Sequence, residues 1–191
     1  MTATDRDRLL ELIKDLAIVH GKVTLSSGKE ADYYVDLRRI TLHGEAAPLV
    51  GRVMLDLTKD LSYDAVGGLT MGADPVATAM VHAAAAARAH HSEGPDARPL
   101  DAFVVRKAEK AHGLQQRIEG PSVAGRRVLV LEDTSTTGGS PMEAVEACRE
   151  AGAEVVAVAV IADRASGAKE RIEAAGVPYR AAYGLADLGL T

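Results

Sequence analysis

A mostly parallel central β-sheet with helices on both sides is the α/β fold class this chain predicts. Three observations predict it. From residue 65 onward, short apolar runs alternate with helical patterns. The runs at 65–69, 102–105, 127–131 and 154–161 have the length and branching of strands buried on both faces. Polar, often glycine-bearing segments follow these runs, and the carboxyl ends of parallel strands are where such sheets bind ligands.

The elements follow in order. Residues 4–19 carry Leu9, Leu10, Leu12, Ile13, Leu16 and Ala17 on one helical face, with Thr4 as N-cap. Residues 22–37 hold turn residues at Ser26, Ser27 and Gly28 and a strand-like Tyr33-Tyr34-Val35. A second helix spans 44–61, and a third follows the strand at 65–69, over about 74–89. Residues 90–99 are polar with Gly94, Pro95 and Pro99, a surface connection. After the strand at 102–105, residues 106–125 show no apolar periodicity. The strand at 127–131 leads through a glycine turn to a helix, with Pro141 at its first position, Glu143 in its first turn and an end near Glu150. The strand at 154–161, a helix near 167–175 and a short strand at 179–183 complete the pattern.

Size and composition narrow the function. A chain of 191 residues fits one domain, 1–191, with a real core. Hydrophobic residues at 47% and charged residues at 26% exclude disorder. No apolar run reaches the roughly 18 residues of a membrane span. Asp5, Asp7, Glu11 and Asp15 exclude a signal peptide in the first twenty residues. The single Cys148 allows no internal disulfide and reads as a packing residue. A net charge of −5 argues against general nucleic-acid binding. A soluble, cytoplasmic protein is expected, with no membrane and no nucleic-acid partner.

The chemistry concentrates at four strand ends. Glu132 and Asp133 follow the apolar run, then Thr134, Ser135, Thr136, Thr137, Gly138, Gly139 and Ser140 lead into the helix. Such a turn gathers backbone N–H groups, and the helix dipole adds positive potential: a phosphate cradle. Acids beside it repel a bare anion but can hold the hydroxyls of a sugar phosphate. A second strand ends in Gly67-Gly68-Leu69-Thr70-Met71-Gly72-Ala73-Asp74-Pro75, a tight turn into a helix. The polar segment 106–125 opens with Arg106, Lys107, Lys110 and His112. Exposed charges on a loop stabilise a fold by only about 0–1 kcal/mol each. Against a polyanion in a closed site, a unit pair at 4 Å is worth about 4 kcal/mol at an effective dielectric near 20. That contrast favours a flexible catalytic lid, at about 106–125. Arg164, beyond the 154–161 strand, can grip a carboxylate or planar imide in bidentate fashion.

Together these segments resemble the type I phosphoribosyltransferase family. The hydrophobic strand, two acids and Thr/Gly turn are similar to its PRPP-binding motif. Arg106-Lys107-x-x-Lys110-x-His112-Gly113 with Ile118-Glu119-Gly120 resembles the orotate-using branch. So do Thr24 to Gly28, Tyr33-Tyr34-x-Asp36, the Gly67–Pro75 turn and Asp163-Arg164-x-x-Gly167-Ala168. The resemblance runs from about residue 20 to 175. It implies transfer of 5-phosphoribosyl from PRPP to orotate, giving orotidine 5′-monophosphate and pyrophosphate in de novo UMP biosynthesis. It also implies a small hood built from about residues 1–40 and Mg²⁺ held mainly by PRPP. A homodimer sharing lid residues between subunits is implied too.

By the same resemblance, residues 136–140 hold the 5′-phosphate, and Glu132 and Asp133 meet the ribose. Arg106, Lys107, Lys110 and His112 close on pyrophosphate. Thr136 and Arg164 contact orotate, and Tyr33 and Tyr34 flank the base. Lys107, Lys110, His112 and Asp133 are thereby the expected catalytic groups. Two positions depart from the pattern: Ser26 and Met71 stand where some members carry lysine, and Lys29 is the candidate substitute for the first. The alternatives are a transferase for another nucleobase and a PRPP-sensing regulator of the same fold. A regulator should add a basic nucleic-acid-binding face, which a net charge of −5 does not suggest.

Overall fold

The computed structural model describes residues 3–24, 30–91, 99–107 and 117–190. Among them, six strands form one sheet. These are β3 (Ala65–Leu69), β4 (Asp101–Val105), β5 (Ile118–Glu119), β6 (Arg127–Ser135), β7 (Glu154–Asp163) and β8 (Tyr179–Tyr183). Their order is β5-β4-β3-β6-β7-β8, and every pairing is parallel except β4 with β5. The mostly parallel α/β sheet expected from the strand–helix alternation is present.

Two-residue alternation along the strands explains the layers. Leu129 and Leu131 of β6 join Ala157, Ala159 and Ile161 of β7 on one face. That face is covered by α1 (Ala3–Leu12), α3 (Ala46–Leu57) and α4 (Ala73–His91). Val128 and Val130 join Val158 and Val160 on the other, beneath α5 (Gly139–Glu150) and α6 (Ala168–Ala174). All four of the β6 residues just named are fully buried. Each such side chain stabilises the fold by about 1.5–3 kcal/mol. A charge at Val130 would be buried without a partner, so Val130→Asp would break this layer.

The N-terminal segment departs from expectation. The first helix begins at Ala3, so Thr4 lies inside its first turn rather than capping it. It ends at Leu12, continues as a π-helical turn over Ile13–Ala17, and gives way to β1 (Ile18–Thr24). β1 pairs antiparallel with β2 (Glu30–Val35), forming a separate two-stranded sheet. The hydrophobic spacing through Leu16 and Ala17 reads as helix because a π turn keeps nearly the same face buried. A short helix, α2 (Arg38–Thr41), follows, and α7 (Leu185–Leu188) closes the chain. The Tyr183 hydroxyl donates to the Arg6 carbonyl at 2.8 Å, and the Arg6 guanidinium lies 4.6 Å from the Tyr183 ring centroid. α1 is thereby fastened to the last strand.

Candidate active site

β6 does not stop where its apolar run stops. Its ladder with β7 continues through Thr134↔Ala162 and Ser135↔Asp163, so residues 132–135 are strand and only 136–138 form the turn. Glu132 is 6% exposed, whereas Asp133 is half-buried. Burial, reinforced by the neighbouring Asp133, pushes the Glu132 carboxyl up to about 8, and Lys107 pulls it partly back. The Asp133 carboxylate is oriented by its own strand: Oδ1 accepts from the Thr134 N–H at 2.6 Å and from the Thr134 hydroxyl at 3.4 Å.

The glycine turn after β3 meets these acids. A Cβ on Gly72 would lie 2.5 Å from Glu132 Oε1 and 2.8 Å from Asp133 Oδ1, so any larger residue would displace the carboxylates or the turn. The turn is anchored on both sides: the Thr70 N–H donates to the Val105 carbonyl at 2.9 Å, and its hydroxyl to Asp74 Oδ2 at 2.7 Å.

Past Ser135 the chain turns into α5. Gly138, at φ +73°, is the N-cap and packs against Ala168. The helix therefore begins at Gly139, and Pro141 is its third residue rather than its first. A left-handed N-cap tightens the turn earlier than the Ser-Pro signal suggests. Thr136, Thr137 and Ser140 are exposed around the N-terminus of this 12-residue helix, an arrangement suited to an anion.

At the next strand end, the Arg164 N–H donates to the Ser135 carbonyl at 2.9 Å, extending the β6–β7 ladder by one bond. The bond holds the Arg164 backbone against Ser135, the residue before Thr136. Its guanidinium lies 5.8 Å from the centroid of the Tyr33 ring, contributed by β2. Two residues separated by 131 positions in sequence therefore meet, in cation–π range.

A cavity of about 260 Å³ opens over the acids. Glu132, Asp133, Gly72, Met71, Lys107, Tyr34, Ser140 and Arg38 are among its walls. Arg38 and its partner Asp36 went unassigned as site residues in the sequence. The signal available was a cation two residues after an acid, directly behind the tyrosine pair. A larger groove of about 1220 Å³ between α3 and α4 is mostly apolar, and Met71 and Arg38 line both cavities. The β6 acids border only the smaller one, which is the candidate site.

The lid expectation is partly within view. Lys107 is exposed and lines the cavity. Arg106 pairs with Glu119 at 3.2 Å, and its N–H donates to the Arg117 carbonyl at 2.8 Å. The β4–β5 pairing, Val105↔Ile118 and Val104↔Glu119, closes the base of this segment. β5 is a strand inside a stretch whose sequence reads as loop throughout. Lys110, His112, Ser26 and Lys29 lie outside the described residues, as does most of the 90–99 connection.

Among the described residues, no three His, Cys, Asp or Glu side chains are grouped to hold a metal ion. Nor is any described helix long and apolar enough to cross a membrane. What the site offers a cation is the adjacent pair Glu132 and Asp133. That suits an ion bound mostly by substrate phosphates with one or two carboxylates.

Comparison with known proteins agrees with this geometry. Residues 39–177 match the phosphoribosyl transferase domain. The orotate phosphoribosyltransferase of Streptomyces avermitilis is 74% identical over 186 residues, 97% of each chain. The chain belongs to the orotate phosphoribosyltransferase family. The Mycobacterium tuberculosis orotate phosphoribosyltransferase in complex with Fe(III) dicitrate superposes with a TM-score of 0.84 at 60% identity, covering 97% of this chain and 99% of that one. The same enzyme in complex with PRPP gives 0.81 at 55%, with the same coverage. The matched domain contains every strand of the main sheet except β8, and the tyrosine pair of β2 precedes it. This orotate phosphoribosyltransferase family member therefore carries both the shared phosphate turn and the hairpin that brings Tyr33 to Arg164.

Proposed function

We propose that this protein transfers the 5-phosphoribosyl group of PRPP to orotate, releasing orotidine 5′-monophosphate and pyrophosphate, as a step of UMP biosynthesis. The observation that carries the reading is that Glu132 and Asp133 stand near the end of β6, just before the 136–138 turn, while Arg164, bonded through its N–H to Ser135, meets Tyr33 of the hairpin. A ribose between an anion cradle and two acids, with a planar carboxylate-bearing acceptor next to an arginine and an aromatic ring, uses every feature of the site.

In the reaction, the bond between ribose C1 and pyrophosphate breaks and a bond from C1 to the orotate ring nitrogen forms. The ring nitrogen attacks as an anion after losing its proton, so no strong base is needed. The difficulty is positive charge on the sugar as pyrophosphate departs. Thr136, Thr137, Gly138, Gly139 and Ser140 hold the 5′-phosphate through hydroxyls and N–H groups. Thr134 and Ser135 lead the strand into that turn, and Asp133, with Glu132 beside it, meets the ribose hydroxyls and stabilises the developing charge. Lys107, with Arg106, Lys110 and His112, closes on the pyrophosphate and excludes water. Arg164 and Thr136 orient orotate against Tyr33 and Tyr34.

Mg²⁺, held mainly by PRPP with Glu132 and Asp133 as the nearest protein carboxylates, would neutralise leaving-group charge. The working unit is a cytoplasmic homodimer in which lid residues are shared. Following PRPP-dependent loss of orotate against adenine, guanine and uracil tests the assignment. Turnover of orotate alone is expected; turnover of a purine in its place would overturn it.

A further inference from the structure

We propose that Arg38 is a pyrophosphate-binding residue, supplying the positive charge that Ser26 and Met71 lack. This rests on the reading of the chain as a PRPP-dependent transferase. The cavity wall is poor in cations for a polyanion: among the described residues lining it, Lys107 and Arg38 face Asp36, Glu132 and Asp133. Met71 occupies that wall 64% exposed and brings no charge.

Arg38 is set up to do the work. It opens α2, directly after the hairpin that carries the tyrosines. Asp36 Oδ1 accepts from its Nε at 2.8 Å and from its backbone N–H at 3.2 Å. Asp36 is itself fixed, since its N–H donates to the Ala17 carbonyl at 2.9 Å. The guanidinium is therefore held by one edge only. Among the described residues its two Nη groups have no hydrogen-bond partner, and the side chain remains 46% exposed. A planar fork held by Nε, with both Nη groups directed elsewhere, is suited to bidentate phosphate binding.

Its position selects the leaving group over the 5′-phosphate. Arg38 shares its cavity with Lys107 and the Gly72 turn; of the 5′-phosphate residues Thr136, Thr137 and Ser140, only Ser140, at the far end of that set, lines it, and Arg164 does not. Arg38 enters from the hairpin side and Lys107 from the end of β4, so a diphosphate between them meets cations from two separate elements.

The test compares wild type, Arg38→Ala, Arg38→Lys and Asp36→Asn. Calorimetric titration with pyrophosphate, with and without Mg²⁺, should show about tenfold or greater weakening in Arg38→Ala. Arg38→Lys should fall between, because it keeps charge without the fork, and Asp36→Asn should weaken binding less than Arg38→Ala. In turnover, KM for PRPP should rise while KM for orotate stays within about threefold. Pyrophosphate affinity in Arg38→Ala within twofold of wild type would overturn the proposal, as would wild type that binds no pyrophosphate. So would weakening that tracks a loss of mass in sedimentation velocity, since Arg38 would then act through subunit assembly. A wild type that binds pyrophosphate but does not turn over orotate would defeat the functional reading alone.

Discussion

Gly72 and Glu132 touch so closely that a single methyl on the glycine would stand 2.5 Å from the carboxylate oxygen. The β3 turn and the β6 acids are therefore one unit, although 60 residues separate them. In Gly72→Ala the acids or the turn must shift by a few tenths of an ångström or more. A misplacement near 1 Å can cost about 100-fold in rate. We expect kcat to fall at least about tenfold with a modest drop in Tm. An unchanged kcat would show that the turn and acids move freely of one another.

Glu132 makes the free protein sensitive to alkali. Its folded value near 8 stands above its ordinary value of 4.5, so between those limits the folded state binds more protons than the unfolded one. Stability from this group is present at low pH and is lost as pH rises toward 8. Glu132→Gln should consequently raise Tm at pH 8.5 by about 2 °C or more, roughly 1 kcal/mol for a chain of this size. Toward pH 5 the difference should shrink. A pH-independent difference in scanning calorimetry would refute this.

Arg164→Lys retains charge but loses the planar fork and its contact with Tyr33. KM for orotate should rise about tenfold or more, with KM for PRPP within about threefold. An equal rise in both would place Arg164 elsewhere in the mechanism.

Lys107→Ala removes a cation from the cavity wall. Turnover should drop well beyond threefold, since loss of a charged contact to substrate costs about 1.5–3 kcal/mol. Steady-state kinetics within threefold of wild type would count against a lid role.

Cys148 is fully buried, and burial pushes its thiol up to about 12. Its reaction with a thiol reagent at pH 8 should be at least about 100-fold slower in the native protein than in denaturant. Comparable rates would mean that α5 opens readily.

Most of the sheet was legible from residues alone, because β3, β6 and β7 are apolar runs with nothing competing for them. The errors share a cause. Strand and turn are separated by backbone pairing, which side-chain character reports only indirectly. Glu132 to Ser135 look like loop, yet β7 supplies the partners that keep them extended. Ile118 and Glu119 look like part of a polar loop, yet β4 offers them a free edge. Ile18 and Val19 extend an apolar pattern that also fits helix, and only pairing with β2 decides it. The site was legible where several residues of one type cluster, as with Glu132 and Asp133. Arg38 was not, because its meaning depends on Asp36 holding one edge of it and on a cavity that three distant segments build.

The β4–β5 clasp works as a leash. With the Arg106 N–H bonded to the Arg117 carbonyl, the two residues that flank 107–116 are held side by side. Lys107, the residue after the clasped Arg106, is thereby moored at the cavity wall, so loosening the β4–β5 pairing would cast that cation adrift from the acids.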